Sequence, residues 1–479
     1  MKYSDPPCPA RRRMLVQALA TAGVLATSAL HARPLSSTEA RVANVTGLYT
    51  VTVARIDVPE RVDDVVAAVR AWPGLIAVGG GRFSMGGQVA VTGGLHLDMR
   101  RLNRLVWIRP EDKVVRVEAG MRWRDLQDVL DPLGLAVRTM QSYANFTVGG
   151  SVSVNAHGRY VNHGPVGNTV RALRLVLADG SVVEVDRVRR PELFRAAIGG
   201  YGAVGVIVEV ELDLADNVRI ERVVAEMPLA DYPAHFDRAV RADAASVLHN
   251  ADLLPPAFDR PVSVTWRRTE AALTEPARLV PRGERYALEQ NMLWAITELP
   301  GGNALRRSVI QPIRLADPVV KWLNHEASLD VAELEPRTRR MSTYVLQEFF
   351  VPRRHFQSFA QGMGDVLRRE RVEAVNVSIR HSPADALSLL PWAKEEVFSF
   401  VLYYKQRTWS AARGVVAIWT RELIDLALAH EGRYYLPYQL HATKEQFDRA
   451  YPEAAELRAL KAEVDPYNKF CNEMWARYL

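Results

Sequence analysis

A glycine-rich loop after a short apolar run is the feature that most constrains this chain. Residues 75–78 read Leu-Ile-Ala-Val, which predicts a buried strand, and five of the nine residues from Gly79 to Gly87 are glycine. Glycine permits positive φ angles and lets backbone N–H groups approach an anion closely. The loop lacks the Gly-Lys-Ser/Thr ending of a Walker A loop, and Ser84 stands where a dinucleotide fingerprint has its third glycine. Taken alone, such a loop is more often a tight turn than a phosphate site.

The composition is that of an ordinary soluble protein. A chain of 479 residues is long enough for two or three domains, and its 48% hydrophobic and 24% charged residues are close to average. The net charge is +6, but half of it lies in the first 32 residues, and no sustained basic tract follows. We therefore expect no nucleic-acid partner.

Residues 1–32 predict a signal peptide. Arg11, Arg12 and Arg13 precede an apolar, Ala-rich run that ends at Leu30, which resembles a twin-arginine signal and predicts export to the periplasm. The alternatives are a disordered leader or an uncleaved signal that anchors the protein in the membrane. Cleavage would leave Cys471 as the only cysteine, so we expect no internal disulfide and no metal site. The apolar run is short for a membrane span, so we also expect no stable membrane span in the mature chain.

Further motifs follow the loop in a fixed order. Residues 59–70 and 122–130 have helical periodicity, and two pairs of apolar runs (105–108 with 114–117, and 173–177 with 182–185) predict hairpins. Between the hairpins, residues 149–158 read Gly-Gly-Ser-Val-Ser-Val-Asn-Ala-His-Gly. A glycine-rich segment ending at Gly205 then precedes a predicted strand over 206–212.

This order of motifs resembles the FAD-binding domain of the vanillyl-alcohol oxidase/p-cresol methylhydroxylase (PCMH) superfamily. The resemblance implies an α+β fold, with a two-subdomain FAD-binding domain over 46–213 that holds extended FAD between two small sheets. It also implies an α+β substrate (cap) domain with an antiparallel sheet over 217–460, and a tail over 461–479 that returns to the FAD-binding domain.

The resemblance also implies which residues contact FAD. At the pyrophosphate these are Gly79, Gly80, Gly81, Arg82, Phe83, Ser84, Met85, Gly86 and Gly87. At the diphosphate and the isoalloxazine they are Thr147, Gly149, Gly150, Ser153, Asn155, His157 and Gly158. At the adenine side they are Gly205, Val206 and Ile207.

Phe83 departs from the pattern of many relatives. They carry a histidine at this place and join it covalently to the flavin, whereas phenylalanine has no nucleophilic nitrogen. The cysteinyl attachment of other relatives is excluded, because no cysteine lies near these motifs. We therefore predict non-covalent FAD, with His157 as the alternative attachment point.

The second half of the chain resembles, more loosely, the sugar-lactone and alditol oxidase branch of the superfamily. Three predicted strands carry the likeness and present Glu348, Arg380 and Lys405. Oxidation of an alcohol needs a base for the hydroxyl proton and a cation for the charge that develops on the flavin. Glu348 is predicted to bind a hydroxyl, or to act as the base if burial raises its pKa. The alternative for each residue is a solvated charge on the outer face of its strand.

These inferences predict an FAD-dependent oxidoreductase that oxidises a C–OH group of a sugar, lactone, polyol or related alcohol by hydride transfer to flavin N5. Electrons would then pass to O2 or to another acceptor, and Ala156 is one residue expected to affect oxygen access. Two alternatives stay open: a catalytically inactive flavin-binding protein and a periplasmic solute-binding protein.

Overall fold

The computed structural model describes residues 40–284, 286–298, 317–336 and 338–479. The predicted signal peptide over 1–32 lies outside the described residues. Residues 40–479 pack as one unit. The boundaries predicted between an FAD-binding domain, a cap domain and a tail therefore stay predictions.

The chain begins with two small sheets. β1 and β2 form an antiparallel pair, and β3, β5 and β4 form a parallel sheet in that order. The strands are β1 Ala40–Ala43, β2 Thr50–Val53, β3 Arg55–Asp57, β4 Ile76–Gly79 and β5 Leu95–Asp98. Helix α1 (Val62–Ala71) connects β3 to β4 and buries Val65 and Val69. Parallel strands require such a crossover, so the apolar spacing predicted over 59–70 is explained.

A third sheet, which is antiparallel, carries both predicted hairpins. Its strands are β6 Leu105–Arg109, β7 Val114–Glu118, β8 Leu135–Val137, β9 Val170–Val176, β10 Val182–Asp186 and β11 Val206–Asp216. Helices α2 (Trp123–Leu130), α3 (Val148–Ser153) and α4 (Pro191–Ala197) lie between the strands. Gly180 adopts φ +78° in the turn between β9 and β10, which is the left-handed geometry that a tight hairpin needs.

The remaining strands form one large antiparallel sheet of eight strands, here called the cap sheet. They are β12 Arg219–Glu226, β13 Ser246–Leu253, β14 Val262–Arg268, β15 Val320–Trp322, β16 Ser342–Pro352, β17 Ala374–Ser382, β18 Val397–Arg407 and β19 Arg433–Tyr434. Their order is β15-β12-β14-β13-β17-β18-β16-β19. The helices of this part are α5 Tyr232–Phe236, α6 Ala287–Glu298, α7 Leu323–Ala327, α8 Phe356–Arg369 and α9 Ser410–Ala429.

Alternation along β16 gives the cap sheet two different faces. Phe349 packs against Phe359 of α8, with ring centroids 6.0 Å apart, so this face is covered by helices. Leu346 and Glu348 point to the opposite face, because successive side chains alternate across a strand. The two faces allow one strand to supply both core and site residues.

The chain ends in α10 (Lys444–Ala450), α11 (Ala454–Val464) and α12 (Glu473–Tyr478). The segment between α11 and α12 runs beside β4: the Ile76 N–H donates to the Lys469 carbonyl at 2.7 Å, and the Cys471 N–H donates to the Ile76 carbonyl at 3.0 Å. Sheets and helices together confirm the predicted α+β fold class. Within the described residues, no helix is long and apolar enough to cross a membrane.

Candidate active site

One cavity is lined by both halves of the chain. Its first wall consists of the loop after β4, helix α3 with the residues that follow it, and the beginning of β11. Its second wall consists of β16, β17, β18 and the segment after β19. The predicted FAD residues that line it are Gly80, Gly81, Arg82, Phe83, Ser84, Met85, Thr147, Gly149, Gly150, Ser153, His157, Gly205 and Ile207. Three segments far apart in sequence therefore meet as the motif order predicts.

The first wall fits an extended cofactor with a diphosphate. Gly80 lies so close to α3 that a Cβ there would be 2.1 Å from the Thr147 Oγ1, which caps the helix by accepting from the Gly150 N–H. At Gly202 (φ +76°) a Cβ would meet nothing within 4 Å, so the backbone borders open space. Arg82 pairs with Asp98 at 2.9 Å, while its Nε is buried and has no hydrogen-bond partner among the described residues. Bare backbone beside an unsatisfied guanidinium N–H suits an anion.

Three glycines of the predicted loop do not line the cavity. A Cβ at Gly79 would lie 2.4 Å from the His96 ring, and one at Gly87 would lie 2.3 Å from the Glu473 side chain. Gly86 approaches a backbone carbonyl after β19 to within 2.6 Å of where its Cβ would be. These glycines allow close packing of the protein on itself, and the cofactor contacts predicted for them stay predictions.

Asn155, Gly158 and Val206 also lie outside the cavity lining. The Asn155 Nδ2 donates to Asp385 at 2.8 Å, and its Oδ1 accepts from the Gly167 N–H at 3.0 Å, so this side chain joins two parts of the protein. A Cβ at Gly158 would be 2.0 Å from a backbone carbonyl. Val206 is fully buried in a hydrophobic cluster, and only its neighbour Ile207 faces the cavity.

Phe83 lines the cavity and stacks on Phe146. Their ring centroids are 4.4 Å apart with an interplanar angle of 29°. Cys471, the one cysteine within the described ranges, is buried outside the cavity lining. The geometry is consistent with non-covalent FAD, and the absence of a covalent link to the flavin stays a prediction.

The second wall carries a buried carboxylate. Glu348 on β16 is 2% exposed; its Oε1 lies 2.6 Å from the His157 Nε2, and its Oε2 accepts from the Tyr438 hydroxyl at 3.1 Å. Burial by itself raises the pKa of Glu348, but the neighbouring His157, Arg380 and Tyr438 outweigh it and hold the pKa below its usual value. Glu348 is therefore an ionised acceptor. The raised pKa on which a role as the base depended is therefore not found, whereas the role of binding a hydroxyl stays a prediction.

Arg380 reaches the same cavity from β17. Strand β18 lies between β17 and β16, and its Val401 is opposite Glu348 on one side and opposite Ser378 on the other. Arg380 is two residues further along β17, so it shares a face with these residues. Its Nε is buried and has no hydrogen-bond partner among the described residues. The cation is thus available to a ligand.

Lys405 does not reach the cavity. It pairs with Tyr344 in the sheet, four residues along β18 from Val401, which corresponds to roughly 13 Å of strand. Its side chain is 1% exposed, and its Nζ contacts Glu298 at 2.5 Å and Glu373 at 2.9 Å. Lys405 is not among the residues that line the cavity, although its sheet partner Tyr344 is, and its charge is already paired with two carboxylates. The catalytic role predicted for Lys405 therefore stays a prediction.

Several cavity residues were not predicted. Tyr438, which donates to Glu348, lies in the segment after β19, where no site residue was predicted. Ser142 has a buried hydroxyl without a partner in the described part of the chain. His441, three residues after Tyr438, lies outside the cavity lining, and burial lowers its pKa to about 4. The described residues contain no cluster of three or more potential metal ligands.

Comparison with known proteins agrees with this geometry. The family model described as "FAD binding domain" matches residues 53–186. The chain is 22% identical to L-gulonolactone oxidase of Bos taurus over 441 residues, which cover 86% of this chain and 91% of the relative. It is 27% identical to alditol oxidase of a Streptomyces species over 441 residues, or 90% and 97% of the two chains. A shorter match to L-gulonolactone oxidase of Mus musculus is 35% identical over 151 residues, 32% of this chain and 34% of the relative.

The fold, the cavity and these matches define an FAD-dependent oxidoreductase. Within that class, residues 53–186 match the FAD binding domain family, and the chain is similar over most of its length to L-gulonolactone oxidase and alditol oxidase, in agreement with the resemblance that its motif order carries.

Proposed function

We propose that this enzyme oxidises a C–OH group of a sugar lactone, an alditol or a related polyol. The observation that carries the proposal is the buried group formed by Glu348, His157, Tyr438 and Arg380, which faces the same cavity as the FAD-binding loop. The names of the relatives that match most of the chain, L-gulonolactone oxidase and alditol oxidase, support the substrate class. An inactive flavin protein would have no need to maintain a buried charged group there.

The side chains of the second wall suit a ligand with several hydroxyl groups. The Arg380 Nε and the Ser142 hydroxyl are buried donors without partners in the described residues, and a polyol oxygen would satisfy each of them. The Tyr344 and Tyr403 rings, which also line the cavity, offer apolar faces to the C–H side of a sugar. When bound, FAD supplies the acceptor for the hydride. The protein must then orient the carbinol, exclude water and take the hydroxyl proton.

A spectroscopic titration tests this function. The purified protein is mixed anaerobically with alditols, aldonolactones and, as a control class, simple monohydric alcohols, and the flavin absorbance is followed. We expect polyols or lactones to bleach the flavin and the monohydric alcohols to leave it oxidised. A flavin that no member of the panel bleaches would support the inactive alternative. Reoxidation by O2 or by a dye then identifies the electron acceptor.

We also propose that the FAD is bound without a covalent link, supported by Phe83 at the position of the linking residue and its stacking on Phe146. Acid precipitation is expected to release all flavin into the supernatant. Flavin that stays with the pellet of the wild type but not of His157→Gln would show instead that His157 forms the bond.

We propose, finally, that the protein is exported. The support is the sequence around Arg11, Arg12 and Arg13 and the apolar run behind it. Residues 1–40 fused to a reporter that is active only after folded export are expected to carry it across the inner membrane. Replacing Arg11, Arg12 and Arg13 together by lysine is expected to abolish this transport, and unchanged transport would contradict a twin-arginine route.

A further inference from the structure

His157 is held rigidly beside the cavity. Its ring centroid lies 4.8 Å from that of Trp392, 5.5 Å from that of Phe350 and 5.9 Å from that of Tyr435. The Trp392 Nε1 donates to the backbone carbonyl of Asn155, two residues before the histidine, at 2.9 Å. An imidazole packed in this way has one preferred orientation, and its Nε2 meets Glu348.

The contact with Glu348 determines which nitrogen carries the proton. An ionised carboxylate can only accept, so at 2.6 Å the His157 Nε2 must be the donor. The other nitrogen, Nδ1, is buried and has no partner among the described residues. A buried N–H without an acceptor is rarer and more costly than an unsatisfied lone pair. Nδ1 is therefore the ring nitrogen that has no partner in the described part of the chain.

The same cap sheet contains a second His–Glu pair that is not at the cavity. His381 Nε2 lies 2.7 Å from Glu396, and the Nδ1 of His381 is likewise buried without a partner. This ring packs on Phe236 and Phe398 in the core. Both pairs place an imidazole Nε2 against a carboxylate, but Glu396 is 35% exposed and also accepts from Arg241 and Arg353. Only His157 and Glu348 line the cavity, so the second pair serves as an internal control away from it.

We propose that His157 is the proton acceptor for the substrate hydroxyl, through Nδ1, and that Glu348 is the residue that positions it. This inference rests on the proposed function. The O–H bond of the carbinol breaks and its proton goes to Nδ1, while the C–H bonding pair leaves as hydride to the bound flavin and the carbinol becomes a carbonyl. The imidazolium formed lies against the Glu348 carboxylate, which offsets its charge. The proton later passes to solvent.

The first experiment compares His157→Asn with His381→Asn. Flavin content, the unfolding temperature and the rate of anaerobic flavin reduction by the best polyol or lactone are measured for both. We expect His157→Asn to keep its flavin and to lose roughly 10²–10⁴-fold in the reduction rate, the usual contribution of a general base. We expect His381→Asn to change the unfolding temperature and leave the reduction rate within about twofold of wild type. Reduction of His157→Asn at the wild-type rate would overturn the proposal while leaving the function intact.

The second experiment does not require a histidine variant to fold. The reduction rate is measured against pH for the wild type, Glu348→Gln and Glu396→Gln. The charged or titratable groups around His157 are Glu348 of β16, Arg380 of β17, and Tyr435 and Tyr438 after β19. Removing the Glu348 charge leaves the imidazole beside Arg380 alone, so the acid limb of the profile should shift to lower pH by about one unit or more and the maximal rate should fall. A limb that is the same in Glu348→Gln and wild type would overturn the role of the pair.

Discussion

The two walls of the cavity are built in different ways. The first wall uses short contiguous segments: Gly80 and Gly81 are neighbours, and Thr147, Gly149 and Gly150 lie within four residues of the chain. Its chemistry is largely that of the backbone, so what matters is where glycine is allowed. The second wall uses isolated side chains, such as Glu348 and Arg380, brought together by strands that are separated by a third. The first wall can therefore be predicted from local sequence, whereas the second wall depends on the register in which the strands of the cap sheet pair.

The largest expected effect breaks the first wall. In Gly149→Ala the new Cβ would be 2.5 Å from the Ala119 Cβ and 3.0 Å from its carbonyl oxygen, in a fully packed position. We expect loss of most bound flavin and a loss of roughly 3 kcal/mol or more in unfolding free energy, as for an overpacked core. Gly414→Ala, in helix α9 with nothing within 4 Å of the new Cβ, is the control and should gain up to about 1 kcal/mol. Flavin absorbance and thermal unfolding measure both.

The second effect breaks the other wall without touching the first. In Arg380→Met the cavity loses a cation whose Nε has no partner in the described chain, while the flavin segments stay intact. We expect full flavin content and a fall of roughly 100-fold or more in kcat/KM, the cost of one lost charge-stabilising group. Arg407→Met removes an arginine of the same sheet that contacts Glu298 and Glu373 away from the cavity. Equal losses in both variants would argue against a site role for Arg380.

A third effect tests both halves through pH. Burial lowers the pKa of His96, in the small parallel sheet, to about 4 and that of His249, in the cap sheet, to about 3. Because the unfolded chain binds protons near the ordinary histidine pKa and the folded chain does not, stability must fall as the pH drops below it. Between about pH 6 and pH 5, each of these histidines should lower the free energy of unfolding by up to about 1.4 kcal/mol for each unit by which the pH falls. Denaturant unfolding of His249→Gln should show a shallower slope than wild type, and an equal slope would contradict the prediction.

The smallest expected effect is that of replacing Lys405, which tests whether this residue contributes to catalysis. Lys405→Met keeps the apolar stem and removes the closer of the two cations that contact Glu298 and Glu373, which leaves Arg407 beside them. We expect a modest decrease in unfolding temperature and a kcat within about twofold of wild type, because both carboxylates are partly exposed and keep a cation. Steady-state kinetics and thermal unfolding check this. A large loss of kcat at unchanged stability would restore the catalytic role that the sequence pattern had predicted.

Within a single segment, the sequence predicted the role of some residues but not of their neighbours. In the loop from Gly79 to Gly87, the central residues face the cavity and the glycines at the ends pack on the protein, although all look alike in sequence. In the segment 149–158, Asn155 became a structural tie and His157 a site residue. Spacing can show that a turn is tight, but it does not show whether a ligand or another strand fills the adjacent space.

By itself, the sequence determined the α+β class, the order of strands and hairpins in the first half, the need for FAD and two of the three cap residues that were proposed. These follow from local properties: glycine conformational freedom, apolar periodicity and turn chemistry act over a few residues. Only the tertiary structure showed that Lys405 is paired with Glu298 and Glu373, that Tyr438 lines the cavity, and that His157 and Glu348 form a pair across 191 residues of chain. Sheet register and desolvation produce these facts, and both arise when distant segments exclude water together.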